Sequence, residues 1–314
     1  MDRRNDIESG NDIDARSEIR DFLTTRRARM TPDQAGLPTY GGEHRRVPGL
    51  RREEVAMLAG VSVDYYTRLE RGNARGVSDR VLDALARALA LDEAETTHLF
   101  DLARAANAAT LTGHRPAKQR VRPSMQRLLD TMAMAPAYIR NGRMDVLASN
   151  ALGRTVFAPL FDSPVRPTNI ARFMFLDPAA QTFYDGWPRH AADTVALLRA
   201  EAGRNPHDKA LSDLIGELST RSEVFRVRWA DHNVRFHRSG IKQLHHPVVG
   251  ELTLSYESMD LVTDPGLRLN AYSAELGSAA QDALNLLASW GATTTAAKAA
   301  TATAATADQA HEPS

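Results

Sequence analysis

The chain of 314 residues contains no cysteine, which excludes disulfides and cysteine-ligated zinc and suits a reducing compartment. It has no excess charge: 39 Lys and Arg balance 39 Asp and Glu, so the distribution of charge has to be read instead of its sum. No apolar run approaches the roughly 18 residues of a membrane span, and the opening MDRRNDIESGNDID lacks the apolar stretch of a signal peptide. A soluble, cytoplasmic protein with no membrane partner is expected. The G-x-S-x-G elbow, glycine-rich phosphate loops and a convincing nucleophile and base pair are all missing, so no catalytic residue is assigned and the chain reads as a non-enzyme. His232, His237, His245 and His246, with Asp231 and Glu251 as oxygen donors, show no HxxxH or HExxH spacing. Adjacent His245 and His246 on a strand would face opposite sides, so neither a metal nor a resident cofactor is expected. Aromatic residues are scarce, at 6 %, yet Phe173, Phe175, Phe183, Tyr184 and Trp187 gather in one short region.

What is present is enough apolar content, 43 %, for two domains each with its own core. Arg26, Arg27, Arg29, Arg45 and Arg46 cluster before the stretch Arg51 to Gly72, which Arg51 and Arg52 open, whereas Asp92, Glu93, Glu95 and Asp101 lie beyond it. That stretch, RREEVAMLAGVSVDYYTRLERG, predicts a helix, a tight turn at Gly60 and a second helix capped by Ser62. Asp64 adds negative charge to the second helix's first turn, where the dipole favours it. Val61, Tyr66 and Leu69 can point back onto the first helix, while Asp64, Thr67, Arg68 and Arg71 share one outward face, as a major-groove reader requires.

Around this unit, Met1 to Asp14 reads as disordered, Ser17 as the N-cap of a helix bearing Ile19, Phe22 and Leu23, and the glycine- and proline-rich segment 36–49 with His44, Arg45 and Arg46 as a basic loop. Ser78 is placed at the start of a fourth helix with Val81, Leu82, Leu85 and Leu89. Asp92 and Glu95 form a capping-box start for a fifth helix with Leu99 and Leu102. The run resembles the helix-turn-helix of Xre-type (phage-repressor-like) regulators, and RRVPGLRREEVA followed by GVSVDYYTRLERG is similar to MmyB-like bacterial transcription regulators. The resemblance implies double-stranded operator DNA as partner, read by Arg52, Ser62, Val63, Asp64, Thr67, Arg68 and Arg71, with Arg52 on phosphate and Arg68 on guanine. Homodimeric binding is the usual geometry for this motif.

A basic linker, 112–123, leads to a domain of mixed pattern over 124–290, after which 291–314 is an Ala/Thr-rich tail read as disordered. Asn141-Gly142 between Ala137 to Arg140 and Arg143 to Ala148 predicts a hairpin with a type I′ turn. Strands are expected near 240–245, 251–257 and 267–274, with helices between hairpin and meander, one of them capped by Ser222 and carrying Phe225 and Trp229. The fold class is therefore α+β: an all-helical helix-turn-helix domain (15–111) followed by an antiparallel-sheet sensor domain. PAYIRNGRMDVLASN, HRSGIKQLHHPVVGELTLSYE and GLRLNAYSAELGS resemble the ligand-binding domain of MmyB-like regulators, which implies a PAS-like fold and a fatty acid or other small apolar effector. Ser149 stands where such domains often carry Trp, and a lost indole would leave space. The aromatic cluster is either ordinary core or a pocket wall built from Tyr138, Phe173, Phe175, Phe183, Trp187 and Trp229. Anchors for an acid would come from Arg140, Arg228, Lys242, His246 or Tyr256. Two readings from other classes remain open: a small-molecule-modifying or metal-dependent enzyme with a helical appendage, and a DNA-binding module whose C-terminal half recruits a protein.

Overall fold

The computed structural model describes residues 3–37, 47, 49–108, 119–231 and 239–290, with side chains from Arg16 onward. His44, Arg45, Arg46, His232, His237, most of the linker and the tail 291–314 lie outside the described residues. The first helices are α1 (Arg3–Arg29), α2 (Arg52–Ala59), α3 (Val63–Glu70), α4 (Asp79–Ala88), α5 (Glu93–Ala108) and α6 (Pro123–Thr131). Strands β1 (Ala137–Asn141) and β2 (Val146–Ser149) follow, then α7 (Ala151–Val156), α8 (Ala158–Asp162), α9 (Ile170–Leu176) and α10 (Ala179–Phe183). Next come α11 (Trp187–Arg204), α12 (Lys209–Arg221), α13 (Glu223–Ala230), β3 (Ser239–His246), β4 (Gly250–Asp260) and β5 (Leu267–Ser273). A helix over 279–290 ends the described chain. The described residues fall into two compact units, one drawn from residues 3–108 with 192–231, the other from residues 119–191 with 239–290.

In the first unit local chemistry sets the helix ends. Gly60 adopts φ 66°, and the Val61 N–H reaches back to the Ala56 carbonyl at 2.9 Å, closing α2. The Ser62 hydroxyl accepts from the Tyr65 N–H at 3.1 Å and starts α3. At α5, Asp92 accepts the Glu95 N–H at 2.8 Å while Glu95 accepts the Asp92 N–H at 3.2 Å, the reciprocal box. Two expected caps are not made. No proline precedes Pro32, so α1 runs through residues 3–14 and places Ser17 inside the helix, where its hydroxyl donates to Asp21. Ser78 occupies the N-cap position without a side-chain cap bond; α4 is held instead by its buried stripe of Leu82, Leu85 and Leu89. Ile19, Phe22, Val55, Tyr66, Leu69, Leu85 and Leu99 form one core, which Ala200 of α11 joins. Arg199, also from α11, is fully buried at 2.7 Å from Glu18 with its guanidinium 4.1 Å above the Trp229 ring.

The second unit is a five-stranded antiparallel sheet in the order β2-β1-β5-β4-β3. Alternation divides its faces. Ala137, Ile139, Leu267 and Leu269 pack with Leu129 of α6, while Tyr138, Leu244, Leu254 and Tyr272 meet Phe157, Phe173, Leu284 and Leu287 on the other side. The hairpin forms, but not through a type I′ turn: the left-handed residue is Met144 (φ 67°), and the Asn141 N–H donates to the Asp145 carbonyl across a wider loop. The Asn141 carboxamide is drawn into a buried clamp, donating to the Asp145 carboxylate and accepting its N–H, both at 2.9 Å. Ser149 leaves no gap either. It is buried, its hydroxyl donates to the Ala137 carbonyl at 3.0 Å, and a Cβ on Gly153 would stand 2.7 Å from its oxygen.

Candidate functional site

The α2-turn-α3 unit separates its two faces sharply. Tyr66, Leu69 and Glu70 are buried, while Ser62, Val63, Asp64, Arg68 and Arg71 are exposed and Thr67 is half-buried. The Arg68 guanidinium lies 4.9 Å over the Tyr65 ring, which steadies a long side chain on the outward face without using its N–H donors. The face therefore presents a hydroxyl, a carboxylate and guanidinium groups.

Behind it sits a residue that was not singled out in the sequence. Glu70 has a buried carboxylate; the Arg27 Nε donates to one oxygen at 2.5 Å, the Arg52 Nε donates to the other, and the Tyr66 hydroxyl donates at 3.4 Å. Ionic hydrogen bonds thus tie α1, α2 and α3 together at one carboxylate. Arg52, expected to stand free for phosphate, is committed to Glu70, which raises its pKa, although about half of its side chain stays exposed (50 %). Burial and the neighbouring carboxylate push the Tyr66 hydroxyl far above the phenol range. The signal was in the spacing: Glu70 follows Tyr66 and Leu69 at i+4 and i+1, so a charged residue lies on the core stripe.

On the sheet, Tyr138, Phe173 and Phe183 join a ring network that also includes Phe157 and Tyr272, neither of them anticipated. Phe157 and Tyr272 have centroids 4.9 Å apart, and the Tyr138 and Tyr272 hydroxyls share a hydrogen bond of 2.9 Å. Desolvation raises both phenol pKa values. Tyr256 packs 6.0 Å from Tyr272, and the Lys242 ammonium lies 5.2 Å over Tyr184 and 5.6 Å over Tyr256. Phe175 and Trp187 sit half-buried at the margin, with the Trp187 indole N–H donating to the Met174 carbonyl. Arg140 is buried on β1 and donates to the Asn141 carbonyl.

Three proposed anchors or lining residues need correction. His246 is a structural group: its Nε2 bonds the Thr155 carbonyl at 3.0 Å, its Nδ1 accepts the Val248 N–H, and burial lowers its pKa, so the ring is held neutral. Arg228 and Trp229 belong to the first unit, where Trp229 stacks on Phe225 and lies beneath Arg199, because the apolar side of α12 and α13 is buried among helices there. Among the described residues, no group of three or more His, Asp or Glu is placed to hold a metal ion, and no helix is long and apolar enough to cross a membrane.

A family model described as the MmyB-like transcription regulator ligand binding domain matches residues 121–287, more than half of the chain, and a helix-turn-helix domain model matches residues 18–99. No curated protein matches the sequence.

Proposed function

Because the chain belongs to the MmyB-like transcription regulators, we propose that α3 docks in the major groove of operator DNA and that a small apolar acid, a fatty acid in the simplest case, regulates the docking through the C-terminal unit. Regulators of this family are not enzymes. The observation that carries DNA reading is the division of α3, with Ser62, Asp64, Arg68 and Arg71 outward and Tyr66, Leu69 and Glu70 fixed behind them. Arg68 makes the bidentate contact to guanine, Asp64 accepts from cytosine N4, and Arg52 contributes positive charge toward phosphate from its pairing with Glu70. A homodimer on a two-fold operator in the cytoplasm completes the reading. The ring network with Lys242 at its edge suits an apolar chain with a polar head.

The test of the ligand half is a titration of the full chain with saturated fatty acids of increasing length. Each methylene buried adds about 0.8 kcal/mol, so affinity rises with length until the site is full. Affinity independent of length rejects an apolar acid as effector and leaves the DNA half standing.

A further inference from the structure

The register of the sheet places an unusual pair of atoms beside the ring network. On the face that carries Tyr138, Leu254 and Tyr272, the rows run across three strands: Arg140, Arg268 and Asp260; then Tyr138, Asn270 and Ser258; then Tyr272 and Tyr256. Residues directly opposite in an antiparallel ladder share a face and stand within reach of one another. In the outer row Arg268 is paired with Asp260 at 2.5 Å, and the Tyr138 hydroxyl of the middle row and the Tyr272 hydroxyl of the inner row satisfy each other. Between them, the Asn270 Oδ1 and the Ser258 Oγ are both shut off from solvent, and neither has a hydrogen-bond partner among the described residues. Asn270 as a whole is 6 % exposed. Buried polar groups are almost always paired, and leaving an acceptor and a hydroxyl unpaired on directly opposed residues costs stability for no structural return.

We infer that Asn270 and Ser258 form the head-group subsite of the ligand-binding unit, and that it takes a long apolar molecule whose head both donates and accepts a hydrogen bond. This rests on the reading above that the unit holds an apolar ligand. With the Asn270 carboxamide oriented as in this structure, its oxygen faces the row and accepts, so the head must offer it a proton; the Ser258 hydroxyl then donates to the head's own oxygen. An alcohol, a primary amide or a carboxylic acid that keeps its proton meets both demands. A bare carboxylate meets only the second and would set its charge against the Asn270 oxygen.

Dodecanol, dodecanamide, dodecanoate and methyl dodecanoate, titrated into the full chain and into Ser258→Ala and Asn270→Leu, test this. In the parent, the alcohol and the amide should bind about tenfold or more tighter than the methyl ester, which has no donor. Both substitutions should erase that preference, and Ser258→Ala should not lower the melting temperature of the ligand-free protein, since it removes an unpaired buried hydroxyl. A preference for the alcohol and amide that survives both substitutions, or a ligand-free Ser258→Ala that melts several degrees lower, overturns the subsite. Equal binding of alcohol and ester by the parent also overturns it while leaving the apolar reading intact. If none of the four probes binds, both fail.

Discussion

The two units bury polar groups in opposite ways. In the helix-turn-helix unit, the carboxylate of Glu70 is withdrawn from water but met on every side by Arg27, Arg52 and Tyr66. On the sheet, the Asn270 Oδ1 and the Ser258 Oγ are also shut off from solvent, and nothing described meets them. A satisfied buried network fixes geometry, and a reading head needs side chains held in one arrangement. An unsatisfied one is a standing demand that a ligand can answer, at the cost of stability without it.

The contrast is tested most severely at Glu70. Glu70→Ala leaves the largely buried Arg27 guanidinium without its carboxylate while the half-exposed Arg52 returns to water, and should cost about 3 kcal/mol in urea unfolding, the low end for a broken buried pair. A loss below about 1 kcal/mol would mean that the ion pairs behave like surface pairs and fix nothing. Leu69→Ala should cost about 2–5 kcal/mol through the cavity it opens behind α3, with the preferred base sequence unchanged. Stability retained with an altered sequence preference would place Leu69 on the reading face. On the sheet, Tyr272→Phe leaves the buried Tyr138 hydroxyl unpaired and should cost about 1–3 kcal/mol by the same measurement. The smallest effect is a slope. Burial holds His246 below its ordinary pKa of about 6.5, so near that pH the unfolded chain binds more protons than the folded one, and stability falls as pH drops through the window. His246→Gln should flatten the stability curve between about pH 7.5 and about pH 5.5; an unchanged slope would assign the proton uptake elsewhere.

What could be read from the sequence was whatever neighbours in the chain decide among themselves. The Gly60 turn, the Ser62 cap, the Asp92 and Glu95 box and the alternation of β4 each depend on residues a few positions apart. The pairings that define the sites do not. Arg27 reaches Glu70 over 43 positions, His246 reaches Thr155 over 91, and Tyr138 reaches Tyr272 over 134. His246 looked like an anchor because an isolated histidine carries no sign of what will stand beside it. Arg228 and Trp229 were assigned to the ligand because periodicity shows that α13 has an apolar side but not which core receives it. The Asn141-Gly142 turn failed for a different reason, since a buried side-chain clamp outweighed the local preference of the dipeptide. The helix over 279–290 was legible and missed: Ser278 accepts the Gln281 N–H as its cap, and Leu284 and Leu287 are spaced as one buried face.

The central claim is that the outward strip of α3 reads DNA sequence while the Glu70 cluster holds it in place and reads none. Its most direct measurement is the affinity of the full chain and of Arg68→Ala for one selected operator, its single-base variants and random DNA, at several salt concentrations. The predicted result is a loss of about 1–3 kcal/mol on the preferred operator, relaxed choice at one base pair and little change on random DNA. An equal loss on every sequence, with a salt dependence flatter by about one unit of slope, would make Arg68 a phosphate contact and contradict it.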